Sequence, residues 1–272
     1  MDDLGVVIQI LDLIRKGHRF RDINLTYPPV TENGIRYDKA MAGYFHMPWL
    51  HAPAFLDLYG KAAAIEAGHY QGMEAAPRAY VILKAAETAM GLSGGDFVEC
   101  GVYRGGTALL ASEAIAMAGD AGKPGFHLFD TFAGIPPTCL TPAEASSGMA
   151  GKYADASLEA VRANLAKYAD FLFFHPGCVP ESFDGFDAAA VRYLHIDINT
   201  AAAHAACLEF FGPKLVDGAV VIFDDYGWPR HSDAKRAVDD YFSRNGLPLP
   251  TALMTGQGYY IHSRAGRGLL PF

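Results

Sequence analysis

Glu99 closes a short apolar run, Asp96–Cys100, and leads straight into Gly101-Val102-Tyr103-Arg104-Gly105-Gly106. Gly101 and Gly105 permit a tight turn and a close backbone approach to a ligand, and a helix opening there offers free N–H groups. A dinucleotide-binding turn reads G-x-G-x-x-G, whereas Tyr103 stands in place of the middle glycine. Its bulk disfavours a pyrophosphate, and the acid before the turn suits a ligand with a cationic amino group. A tight strand-to-helix turn without a ligand is the plainer alternative. Asp130 ends the next apolar run, Phe126–Asp130. In that place a carboxylate can accept hydrogen bonds from both hydroxyls of a ribose, or cap a helix. Together the two strand ends suit an adenosine with an amino-acid tail, which makes S-adenosyl-L-methionine the expected cofactor.

Two further apolar runs end in acids, His195-Ile196-Asp197 and Ile222-Phe223-Asp224-Asp225. If both end on one rim, Asp197, Asp224 and Asp225 converge near the sulfonium methyl. An oxygen-only donor set suits a hard cation, and Mg²⁺ is commonly held by a few carboxylates while keeping positions open for substrate oxygens. The alternative is that Asp224 caps the following turn and Asp225 is solvated. His195, one step deeper on the face of Asp197, reads as a satisfied strand residue rather than a ligand. A cation at this rim would chelate an acceptor hydroxyl, lower its pKa and align it with the methyl group. Asp197 is the candidate general base, with hydroxide supplied at the cation as the alternative.

These residues need a scaffold that brings strand ends together. Helical spacing at 78–90 precedes the first strand. Strands at 96–100, 126–130, 171–175, 191–198 and 219–224 alternate with helices at 107–118, 158–168, a segment reaching 211, and 238–245, and a closing strand is expected at 253–260. Strict alternation predicts an α/β fold, a Rossmann-like doubly wound and mostly parallel sheet with an antiparallel C-terminal strand, ligands binding at the carboxyl ends. Residues 4–14 carry helical spacing and are expected to pack on the body or on a second copy, which makes a homo-oligomer a candidate. The Pro-, Tyr- and His-rich stretch from 17 to 60 predicts an irregular cap with short helices. The division is thus a cap over 1–68 and a catalytic domain over 69–272. The segment 133–152, which contains Pro136, Pro137, Gly148 and Gly151 and follows a strand end, reads as a mobile lid.

Across 272 residues, 51% hydrophobic and 19% charged, there is apolar material for a sizeable core. A net charge of -8 argues against a nucleic-acid partner. The acidic Met1-Asp2-Asp3 start and a short apolar run broken by Gln9 and Asp12 argue against a signal peptide or membrane span. Cys100, Cys139, Cys178 and Cys207 are scattered, with no metal-site or disulfide-framework spacing, and read as reduced thiols of a cytoplasmic protein. The expected partner is a small-molecule hydroxyl acceptor.

The strings Phe97 to Gly106, Phe129-Asp130-Thr131-Phe132-Ala133-Gly134-Ile135-Pro136, His195-Ile196-Asp197 and Phe223-Asp224-Asp225-Tyr226-Gly227, in this order between residues 70 and 261, resemble the macrocin O-methyltransferase family. That family methylates sugar hydroxyls in macrolide and aminocoumarin biosynthesis with the help of a metal. The resemblance implies that Glu99, Gly101 and Gly105, with Tyr103, hold the methionine end of the cofactor. It implies Asp130 on the ribose with Thr131 and Phe132 beside it, Gly177 near the adenine, and Mg²⁺ on Asp197, Asp224 and Asp225. One turn departs from the pattern. Where the family has Asp, a hydrophobic residue and Tyr, this chain has Asn199, Thr200 and Ala201. A nicotinamide-dependent oxidoreductase on the same sheet and a non-catalytic binder of the adenosyl ligand are the two other readings.

Overall fold

The computed structural model describes residues 35–37, 42–44, 49, 52–66 and 75–263, except 120, 121, 141 and 147. The expected helix at 4–14, and with it the expected oligomer contacts, lies outside these residues. The stretch read as an irregular cap holds more order than its composition suggests. β1 (Ile35–Tyr37) and β2 (Ala42–Tyr44) form an antiparallel hairpin. A 13-residue helix, α1 (Pro53–Ile65), follows. Pro53 supplies the fixed φ of a first helical position, and Phe55, Tyr59 and Ala62, buried on one face, recur at i, i+4 and i+7.

α2 (Ala76–Met90) begins with Pro77 in its first turn and buries Ala79, Ile82, Leu83 and Ala86, the face that the spacing predicts. The central sheet has seven strands: β3 (Asp96–Cys100), β4 (Phe126–Asp130), β5 (Leu172–Pro176), β6 (Val191–Ile196), β7 (Leu215–Phe223), β8 (Thr251–Ala252) and β9 (Gly258–Ile261). Their order is β5-β4-β3-β6-β7-β9-β8. β3 to β7 run parallel, and β9 is antiparallel to both neighbours. The single closing strand expected at 253–260 is therefore a hairpin, turned at 253–257 by the Leu253 N–H to Gln257 carbonyl bond of 2.7 Å.

β3 and β6 read as unbroken apolar runs because helices cover both faces of the sheet. On one face, α1, α2 and α3 (Gly106–Met117) join β-strand side chains such as Phe97 and Tyr193 in a single core that also takes in α5 (Leu158–Asn164) through Val161. On the other, α6 (Ala201–Phe211) and α7 (Ser232–Arg244) enclose Val98, Phe129 and Phe223. Each such aromatic, fully buried, is worth about 1.5–3 kcal/mol in transfer free energy. The chain leaves β3 toward β4 and β5 on one side and β6 and β7 on the other, so the order reverses at β3. The crevice at that reversal, beyond the carboxyl ends, is where this sheet type binds ligands. Among the described residues no helix is long and apolar enough to cross a membrane.

Candidate active site

The turn after β3 is built by conformations that most residues avoid. Gly101 has φ +89°, and a Cβ there would run into the Asp197 carbonyl, so the turn and the end of β6 pack backbone against backbone. Gly105, φ +94°, opens α3 without a side-chain cap. Tyr103 is also left-handed at φ 49°. Of the four described non-glycine residues with positive φ, Tyr103, Tyr153 and Asn199 line one cavity of about 330 Å³ over the strand ends. Strain of this kind persists where the surroundings over-determine it, commonly at ligand sites.

The carboxylate of Asp130 holds the turn in shape. Its Oδ2 accepts from the Val102 and Tyr103 N–H groups at 2.7 and 2.9 Å, and its Oδ1 from the Phe132 N–H at 2.8 Å. The Thr131 hydroxyl lies 3.3 Å from Oδ1 but only 2.6 Å from the Gly134 carbonyl, to which its single proton goes. One acceptor position on Oδ1 is thereby left, enough for one ribose hydroxyl rather than two. The Tyr103 hydroxyl and Arg104 both bond to Asp155, tying the turn to the far end of the 133–152 segment.

Of the residues expected on the cofactor, Gly101, Tyr103, Asp130, Thr131 and Gly177 line the cavity, and Glu99, Gly105 and Phe132 do not. Glu99 is wholly enclosed. Its Oε1 accepts from the Thr107 hydroxyl at 2.5 Å, its other oxygen has no partner among the described residues, and Thr107 is what reaches the cavity. His195, expected to be satisfied, is not. It is fully buried, neither ring nitrogen makes a hydrogen bond to a described residue, and it lies 3.7 Å from Glu99 and 3.8 Å from Asp224. β6 places it between two acids, each already bonded elsewhere.

Sequence reasoning missed Glu66, the residue after α1. Its Oε1 accepts from the Gly106 N–H at 2.6 Å, it is 4% exposed, and it lines the cavity. Burial pushes its pKa up from 4.5 to about 8, with Asp197 and Glu99 adding to the shift and the Gly106 bond opposing it. No motif surrounds it; only the docking of α1 on α3 brings it to the turn. A carboxyl whose pKa rises on folding stabilises fully below its unfolded value and loses that contribution as pH rises through the folded one. Glu66→Gln, which keeps the acceptor oxygen, is therefore expected to raise the melting temperature of the ligand-free protein by several degrees at pH 8 and by much less at pH 5. Thermal melts at the two pH values check this, and equal shifts would refute a buried charge.

At the other end of the cavity Asp197, Asp224 and Asp225 each offer an oxygen, all within 4.8 Å of one another. His195 is not of this group. Burial, and then Asp225, raise the Asp197 carboxyl to about 6, as crowded acids require. Asp224 is buried, accepts from Gln257 Nε2 at 2.9 Å and pairs with the guanidinium of Arg78, which also lines the cavity. Arg78 opens α2 and carried no chemical signal in the sequence. Three hard oxygen donors in reach of one point, one of them with a raised pKa, fit a divalent cation, whose charge would relieve their repulsion.

The 133–152 segment covers this cavity with Gly134, Ile135, Pro136 and Cys139. Its base is a backbone pair between Ile135 and residues 151 and 152, and Glu144 of its short helix α4 (Pro142–Ser146) accepts from the Ala201 N–H at 2.8 Å. The reading of four reduced thiols is corrected here. Cys139 and Cys178 form a disulfide with Cα atoms 6.4 Å apart, while Cys100 and Cys207 are free and buried. The two half-cystines are 39 residues apart, too far for local spacing to signal, but β4 and β5 are parallel neighbours and send their following loops out side by side.

The sequence profile of the family described as Macrocin-O-methyltransferase (TylF) matches residues 82–262. The chain is 30% identical over 187 residues to the 8-demethyl-8-(2,3-dimethoxy-alpha-L-rhamnosyl)-tetracenomycin-C 4'-O-methyltransferase of Streptomyces olivaceus, covering 65% of this chain and 70% of that one. It is 28% identical to the Mycinamicin III 3''-O-methyltransferase of Micromonospora griseorubida, covering 61% and 67%. The solved structure of the O-methyltransferase NovP superposes with a TM-score of 0.62 at 25% identity, over 71% of this chain and 81% of that one. All three are named for methyl transfer to oxygen, which sets aside the oxidoreductase and the non-catalytic binder. With its profile match spanning most of the sheet and every strand-end acid, the chain belongs to the Macrocin-O-methyltransferase (TylF) family and is an S-adenosylmethionine-dependent O-methyltransferase.

Proposed function

We propose that the acceptor is a hydroxyl of a sugar or a glycosylated small molecule, and that Asp197, Asp224 and Asp225 hold Mg²⁺ beside it. The observation that carries this reading is the gathering of three carboxylate oxygens within 4.8 Å in the wall of the same cavity as the glycine turn. The cofactor lies along that turn, its methionine end toward Thr107, its ribose at Asp130 and its adenine toward Gly177. When bound, the cation lowers the pKa of the acceptor hydroxyl and fixes its direction. Asp197, already raised toward neutrality, is placed to take the proton. Arg78 pairs with Asp224, and Gln257 donates to its Oδ1, so the carboxylate is held in place from both sides. Asn199, Ala202 and Ala203 line the acceptor side under the lid. α1 supports the expected role of residues 1–68 as a cap that contributes to the site.

The relatives named for rhamnosyl and mycinamicin acceptors support the sugar class. Incubation with S-adenosylmethionine, Mg²⁺ and a panel of nucleotide sugars, glycosylated polyketides and catechols is the test. Formation of S-adenosylhomocysteine with glycosylated acceptors is expected. Turnover of catechols with every glycoside inert would overturn the sugar assignment.

A further inference from the structure

We propose that Glu66, rather than Glu99, receives the α-ammonium group of the cofactor. This rests on the cleft being the S-adenosylmethionine site. Both acids stand at the methionine end, but they stand differently. Glu99 is sealed behind Thr107 and does not reach the cavity. Glu66 is in the cavity wall, and its one hydrogen bond among the described residues, to the Gly106 N–H, leaves acceptor capacity toward the ligand. The cations close by are engaged: Arg78 pairs with Asp224 and Arg104 with Asp155. A buried carboxylate in a ligand-sized cavity, with no cation of its own among the described residues, is what an ammonium group completes.

The carboxylate is also held where it is needed. A Cβ on Gly106 would collide with the Glu66 carboxyl, so the residue opening α3 has to be glycine for the acid to press against the turn. Phe55, Tyr59 and Ala62 anchor α1 in the core shared with α3, which leaves Glu66 little freedom to swing away. Its position at the N-terminus of α3 favours the ionised form that a cationic ligand requires, against the burial that disfavours it. Glu66 lies before the family match at 82–262, so the methionine end is read by a residue outside the part of the chain that carries the family's motifs.

Calorimetry on the full chain with three ligands tests this: S-adenosylhomocysteine, its deaminated analogue, and 5'-methylthioadenosine, which keeps the nucleoside and sulfur but lacks the amino-acid tail. Glu66→Gln is expected to weaken S-adenosylhomocysteine by roughly 10- to 100-fold, the range for a lost charge-assisted hydrogen bond. Binding of 5'-methylthioadenosine should stay within about twofold. The deaminated analogue should bind parent and variant alike. Methylthioadenosine binding also reports that the variant is folded. Equal losses for S-adenosylhomocysteine and methylthioadenosine would make Glu66 a structural cap of α3, and an unchanged S-adenosylhomocysteine affinity would remove it from the site; either overturns the proposal. If the parent itself binds none of the three, the cofactor reading falls and takes Glu66 with it, a failure distinct from the other two.

Discussion

Asp224→Asn is expected to lower methyl transfer by about two or more powers of ten, and excess EDTA to abolish it, while S-adenosylhomocysteine affinity changes by no more than roughly threefold. The substitution keeps the side chain's size, and its Oδ1 can still accept from Gln257, but an NH₂ group replaces the oxygen that pairs with Arg78. It removes one of three charges whose oxygens lie within 4.8 Å, and with it a hard ligand. The expected separation of turnover from cofactor affinity follows from the proposed arrangement, in which the rim acids serve the acceptor and the glycine turn the adenosine. EDTA distinguishes the cation from the guanidinium beside it. Full turnover in excess EDTA, with Asp224→Asn still impaired, would mean that Arg78 is the positive charge the rim serves, and the Mg²⁺ proposal would be wrong.

The second large effect is expected at Asp130. Asp130→Asn exchanges an acceptor oxygen for an NH₂ group, which must then face either the Val102 and Tyr103 N–H groups or that of Phe132. Leaving such a buried donor unmet costs about 1–3 kcal/mol each. A fall in melting temperature of several degrees is expected from the single unmet donor that the better orientation, with the NH₂ group toward Phe132, leaves. Because the same carboxylate shapes the turn and offers its remaining position to the ribose, 5'-methylthioadenosine and S-adenosylhomocysteine should weaken together, by roughly 10- to 100-fold. That parallel loss is the opposite of the selective loss expected at Glu66. An unchanged melt would show that the turn does not depend on the carboxylate, and an unchanged methylthioadenosine affinity would take Asp130 off the ribose.

The parts of the site legible in the sequence are those that the sheet delivers. Asp130, Asp197, Asp224 and Asp225 each terminate an apolar run, and parallel strands send their ends to one rim, so the order of runs already implies the cluster. Gly101 and Gly105 announced themselves because their φ values are ones that glycine alone adopts freely. The residues that were not legible reach the site by packing between elements. Glu66 and Arg78 arrive on helices that precede the first parallel strand, and Gln257 on the turn of the C-terminal hairpin, each at a distance along the chain that no periodicity records. Glu99 shows the reverse: its place before the turn suits a ligand contact, but its carboxylate bonds to Thr107 of α3, which stands between it and the cavity. α1 was hidden by a Pro- and Tyr-rich composition although its i, i+4, i+7 face was present.

The turn between β6 and α6 departs from the family pattern in side chains, yet its backbone rests on only two of them. Asn199 sits at φ 61°, a conformation that Asn and Asp both tolerate, and the Thr200 side chain caps α6 by accepting from the Ala203 N–H. Ala201 contributes its N–H to Glu144 and no side chain beyond a methyl group. Positions 199 and 201 are thus the exchangeable ones, an acid being tolerated at the first and a larger side chain leaving the backbone bond of the second intact, while Thr200 is held by its cap. Grafting the family's Asp and Tyr onto positions 199 and 201 is expected to change the acceptor side of the proposed site at little cost to folding.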